Sequence, residues 1–114
     1  MYSVGVAKSF VAQHYLTCPS SDHEKVTHSH HFNLRVEIFH SSLDDYGYVA
    51  NIDAIKEGID QCLGYFRDRC LNDLEEFAGI NPSVEHFARI FLERLLSLET
   101  YQCHKVTLTL YEDA

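Results

Sequence analysis

A chain of 114 residues with 46% hydrophobic and 23% charged content has the material for one domain, residues 1–114, built round one core. Its 17 acidic against 9 basic residues leave a formal net charge of −8, and with no basic run this field opposes phosphate polymers, which excludes nucleic acid as an expected partner. No stretch nears the ~20 consecutive apolar residues of a membrane span, and Met1 to Ala12 lacks a basic region followed by an apolar run. A soluble, unexported chain with no membrane partner is expected. Cys18, Cys62, Cys70 and Cys103 are far apart in sequence and form no CxxC pair, so they read as reduced thiols in a cytoplasm.

In chain order, Val4, Val6, Phe10 and Ala12 fall on even positions, the period of a half-buried strand. The polar segment from Thr17 to Thr27, with Pro19 and two serines, is too long for a tight hairpin and is expected to be a functional or mobile loop. From Phe32 a second strand alternates Phe32, Leu34, Val36 and Ile38 with Asn33, Arg35 and Glu37. After Asn51, a plausible N-cap, Ile52, Ile55, Ile59, Leu63 and Phe66 recur at helical spacing, weakened by Gly58 and Gly64. A second helix follows the turn Gly79-Ile80-Asn81-Pro82, with Ser83 as N-cap and Val84, Phe87, Ala88, Phe91, Leu92, Leu95 and Leu96 on its inner face. Val106, Leu108 and Leu110 alternate in a last strand. The order ββααβ, with strands apolar on one side only, predicts an α+β domain of two layers, an antiparallel sheet with both helices on one face.

His28 and His30 share the even parity of Phe32, and His14 continues the even series of Phe10 and Ala12, so all three imidazoles are expected on the face the helices cover. Three neutral imidazoles meeting at one point form a tetrahedral zinc site lacking its fourth ligand, the arrangement of a catalytic zinc. Against this, HxH tripeptides are common in loops, the chain has eight histidines, and a lone inward histidine is more often a satisfied core residue. Spacing alone leaves both readings open. His23 and His31 compete as ligands, though His31 has surface parity. Glu112 continues Val106, Leu108 and Leu110 inward, and a buried carboxylate must be paired or must bind a ligand's donors, unless the terminus frays into solvent.

Phe10-Val11-Ala12-Gln13-His14, His28-Ser29-His30, Leu71-Asn72, Asn81-Pro82-Ser83-Val84-Glu85 and Glu112 resemble, in order, the signature positions of the 6-pyruvoyltetrahydropterin and 6-carboxytetrahydropterin synthase family. The resemblance implies a T-fold assembled through its sheet edges into a homo-hexamer, a dimer of trimers, with a pterin pocket between subunits. It implies lyase chemistry in tetrahydrobiopterin or queuosine biosynthesis, zinc on His14, His28 and His30, and Glu112 accepting from the N–H groups of the pterin. Ser83 and Glu85 fall near the pterin in that scheme, although an N-cap and a first-turn acid explain them structurally.

The departures are equally specific. The family's catalytic cysteine, four residues before the HxH motif, is Glu24 here, which is expected either to act as general acid/base beside zinc, as in some divergent members, or to be a solvated loop residue. Cys18 has the wrong spacing to substitute. The usual Asp-His pair is replaced by Arg67 and Asp68, and Asp68 is the candidate left there to share catalysis. Asn51 replaces a usual aspartate, and the family normally continues into a final strand beyond Glu112. Three functions compete: a zinc-dependent synthase acting on dihydroneopterin triphosphate or a related dihydropterin, a zinc- and pterin-binding module that has lost the chemistry, and a structural protein stiffened by its histidines.

Overall fold

A computed structural model of the chain describes residues 1–18, 22–98, 101 and 103–112. Strand β1 (Tyr2–His14) is followed by β2 (His28–His40), helices α1 (Ile52–Phe66) and α2 (Val84–Leu98), and strand β3 (Lys105–Glu112). The sheet has the order β1-β2-β3 with both pairings antiparallel. The architecture is the expected α+β one, and β2 begins early enough to carry the HxH motif.

The registers settle which side chains share a face. From Tyr2↔His40 to His14↔His28, and from Phe32↔Glu112 to Phe39↔Lys105, each pairing sets even positions opposite even and odd opposite odd. Since successive side chains in a strand alternate sides, every even residue of the three strands lies on one face. On that face Val6, Phe10, Ala12, Phe32, Leu34, Val36 and Ile38 are buried. Lys8 shares it and reaches the rim, where its Nζ lies 3.6 Å from Asp60 Oδ1 on α1.

The helices cover this face with the stripes their spacing predicts. Asn51 caps α1, its Oδ1 accepting from the N–H groups of Asp53 at 3.0 Å and Ala54 at 3.3 Å, and Ile55, Ile59, Leu63 and Phe66 are buried. Gly79, with φ +76°, makes the turn before α2, where a side chain would be strained. The Ser83 hydroxyl then accepts from the N–H of His86 at 3.1 Å and caps α2. The buried residues of α2 are Phe87, Ile90, Phe91 and Leu95. Leu96, expected inside, is exposed, because it follows Phe87 by two and a half turns at about 3.6 residues per turn and so lies on the opposite side. Phe87 sits between the layers with its ring 5.2 Å from both Phe32 and Phe66.

The connection between the helices does more than join them. It buries Leu71, Leu74 and Phe77 and runs along the outer edge of β1: the Asp68 N–H donates to Val11 O at 2.8 Å, and the Gln13 N–H to Arg69 O at 2.9 Å. Asn72 then grips Tyr15 twice, accepting from its N–H and donating to its carbonyl, both at 2.9 Å. Contacts from Asp68, Arg69 and Asn72 thus tie down the end of β1 that carries His14. In the long hairpin loop, positions 19–21, including Pro19 and both serines, lie outside the described residues. The remainder contains a short helical turn, Asp22–Lys25.

Candidate metal centre

His14 ends β1, His28 begins β2 directly opposite it, and His30 lies one even position further along. Their ring centroids are 4.8 Å apart for His14 and His28, 5.1 Å for His14 and His30, and 4.6 Å for His28 and His30. The rings stand edge to face, so their nitrogens converge instead of stacking. Beneath them lies an apolar floor, with the Phe32 ring 6.3 Å from that of His14 and 6.1 Å from that of His30.

Two of the imidazoles are held by backbone carbonyls. His14 Nδ1 donates to Pro82 O at 2.9 Å, and His28 Nδ1 donates to Val26 O at 2.8 Å. A carbonyl can only accept, so in each neutral ring Nδ1 carries the proton and Nε2 presents a lone pair. Such an outer partner fixes the tautomer and aims the ring at a metal. Burial pushes the His14 imidazole below its ordinary pKa, against the opposing pull of the Pro82 carbonyl and the Glu112 carboxylate, which favours the neutral form a metal requires.

Glu112 completes the group. Its Oε1 is 2.6 Å from His30 Nε2 and 3.4 Å from His14 Nε2, and its side chain is 25% exposed, so it is not frayed into solvent. One ligand atom from each of His14, His28, His30 and Glu112 can be chosen so that all lie within 4.8 Å of one another. Nitrogen and carboxylate donors in this number suit zinc.

These residues open onto a cleft of about 400 Å³, also lined by Glu24, Ser83 and Glu85. The volume falls in the range of about 300–1,000 Å³ usual for small-molecule sites. Glu24 is held at its rim by the backbone, its carbonyl accepting from the Leu16 N–H at 2.7 Å. Asp68 is not among the lining residues: it is exposed, with φ +60°, on the segment along the edge of β1. Cys18 and His31 are exposed as well, and neither lines the cleft, while the His23 side chain lies outside the described residues. A larger cleft of about 790 Å³ lies round segment 43–53 and the start of β1, but among the described residues its lining carboxylates are Asp44 and Asp53, with no histidine beside them.

Asn72 and the Asn81-Pro82-Ser83 turn stand out in the sequence as signature positions, but residue type hides most of what they do. Asn81 Oδ1 accepts from the Thr17 N–H at 2.7 Å, Pro82 orients His14, and Ser83 caps α2, so three consecutive residues join the loop, the candidate ligand His14 and the helix. The Pro82 and Val26 contributions are backbone carbonyls, which leave no signal in residue type.

A two-layer α+β domain with three imidazoles and a carboxylate gathered at one end of its sheet is a candidate metalloprotein of the T-fold class. The 6-pyruvoyl tetrahydropterin synthase family matches residues 3–114, and the chain belongs to that family. Among solved structures it is similar to the 6-pyruvoyl tetrahydropterin synthase of Caenorhabditis elegans, at 21% identity and TM-score 0.77, over 99% of this chain and 96% of that one. It is also similar to that of Plasmodium falciparum, at 15% identity and TM-score 0.72, over 96% and 91% respectively. At these identities the likeness establishes a shared fold. A comparison with curated proteins gives no match.

Proposed function

We propose that the chain is a zinc-dependent tetrahydropterin synthase-like lyase acting on the side chain of 7,8-dihydroneopterin triphosphate or a related dihydropterin. The observation that carries this reading is the convergence of His14, His28 and His30, two of them fixed with an Nε2 lone pair free for a metal, in one cleft with the carboxylate of Glu24. His14, His28 and His30 would hold the metal, which when bound lowers the pKa of a coordinated hydroxyl. Glu24 takes and returns protons at the side-chain carbon, and Glu112 accepts from the amino and ring N–H groups of the pterin. Ser83 spends its hydroxyl on the α2 cap, leaving Glu85 as the freer of the two to meet substrate.

Asp68 enters the chemistry only as a residue offered to the cleft of a second copy, since it does not line the cleft of its own chain. The outer edge of β3 and most of that of β1 have no partner strand among the described residues, which supports assembly through the edges into a homo-hexamer of two trimers. Cytoplasmic residence accords with four free cysteines. The position of Asp68 also favours a second reading, a zinc- and pterin-binding module with impaired catalysis.

Product analysis after incubation with dihydroneopterin triphosphate decides between the two. A changed pterin side chain supports the enzyme, and an unchanged pterin that still binds supports the module. Zinc should be stoichiometric in the parent and lost in His28→Ala/His30→Ala, and retention of zinc by that variant would refute the site.

A further inference from the structure

A hydrogen bond accounts for the contact of Glu112 with His30, but the contact with His14 is not explained by a carboxylate that serves only a substrate. His14 donates through Nδ1 to Pro82 O, so the Nε2 that faces Glu112 Oε1 at 3.4 Å is an acceptor facing an acceptor. Two acceptors this close at a buried residue repel unless a proton or a metal ion lies between them, and burial works against the extra proton on His14. The spacing suits a metal ion: two ligands at about 2.0–2.1 Å from a tetrahedral zinc are about 3.4 Å apart. His30 Nε2 lies closer to the same oxygen, at 2.6 Å, a hydrogen-bond length that must open by roughly 0.8 Å to reach that tetrahedral edge.

We infer that Glu112 is a fourth protein ligand, closing the metal site of His14, His28 and His30 while no substrate is bound. The inference rests on the zinc reading of the three histidines and extends it to a carboxylate which that reading reserved for the pterin. A site of four protein ligands is of the closed, structural type, whereas a catalytic zinc keeps a position open. The resting protein therefore holds its metal shut. A pterin that takes both oxygens of Glu112 through its amino and ring N–H groups competes with the metal for the carboxylate, so a substrate that draws Glu112 away opens the fourth position as it docks. Arrival of the pterin and exposure of the metal become one event, and a small molecule lacking those donors does not gain access.

The test uses the metal-loaded protein without substrate. Zinc affinity is measured by competition with a chromophoric chelator, and cobalt(II) is substituted for zinc to read the ligand set from its visible absorption. Glu112→Gln keeps the shape and removes the charge, Glu112→Ala removes the side chain, and circular dichroism checks folding of each. A direct ligand should count for at least the roughly tenfold typical of an outer partner, so both variants should bind zinc tenfold or more weakly and show shifted cobalt bands. A zinc Kd within twofold of the parent and superimposable cobalt spectra, in whichever variant folds, would overturn the inference while leaving the three-histidine site intact. If the parent bound no metal, or His28→Ala/His30→Ala kept it, the zinc reading itself would fail and this inference with it.

Discussion

Asn72 offers the most direct test of how the fold builds the site. Its side-chain amide makes two bonds of 2.9 Å to the backbone of Tyr15, the residue that follows His14. In Asn72→Leu the shape is nearly kept, but the Tyr15 N–H and C=O lose their partners in a half-buried position. At about 0.5–1.5 kcal/mol net per hydrogen bond, the pair contributes roughly 2 kcal/mol. For a chain of this size each kcal/mol moves Tm by about 4 °C, so a fall of roughly 8 °C is expected in a calorimetric or circular-dichroism melt. Because the lost bonds anchor the turn after His14, a ligand in the proposed site, zinc affinity should fall about 10-fold by chelator competition, the lower end of what outer partners of a metal contribute. A Tm within about 2 °C of the parent would show that water replaces the amide at no cost. A lower Tm with unchanged zinc affinity would show that Asn72 holds the loop without aiming His14.

Other perturbations separate catalysis, propensity and burial. Glu24→Gln should abolish turnover of dihydroneopterin triphosphate while leaving zinc content and pterin affinity near parental values, and equal turnover would make Glu24 a loop residue. Gly64 lies inside α1 with open space for 4 Å round the place a Cβ would take, so Gly64→Ala should raise stability by about 0.5–1 kcal/mol in urea unfolding; a loss would mean that the exposed face is occupied. Burial pushes the Cys62 thiol up to about 11 from an ordinary 9.0. The folded state thus keeps a proton that the unfolded chain releases, so this contribution to stability is intact below about pH 9 and is lost as pH rises toward 11. At pH 8 an alkylating reagent should modify exposed Cys18 and spare Cys62 until the protein unfolds, and equal rates at both would contradict the burial.

What the sequence determines here is periodicity within each element. The two-residue alternation through Phe10, Ala12 and His14, and again through His28, His30 and Phe32, places each histidine on the buried face of its own strand, because side-chain direction follows from local backbone geometry. Asn51 and Ser83 are legible as caps for the same reason, since a cap bonds only to the turn it begins. Leu96 marks where counting apolar residues overran the width of one helix face.

The phase between strands is decided by pairing, which no local pattern contains. A slip of one residue in either register would have sent His28 and His30, or Glu112, to the side opposite His14. Tertiary structure likewise brought Asn72 to Tyr15 and the Pro82 carbonyl to His14 across long separations in the chain, supplying bonds that residue type could not announce. It left Asp68 on the edge of β1, away from the cleft its sequence position had nominated it for. And it turned Glu112 toward the imidazoles, because β3 ends beside Phe32 on the even face, two residues from His30. Ligand type can be read along a chain, but the point at which ligands converge is a property of the sheet that pairs them.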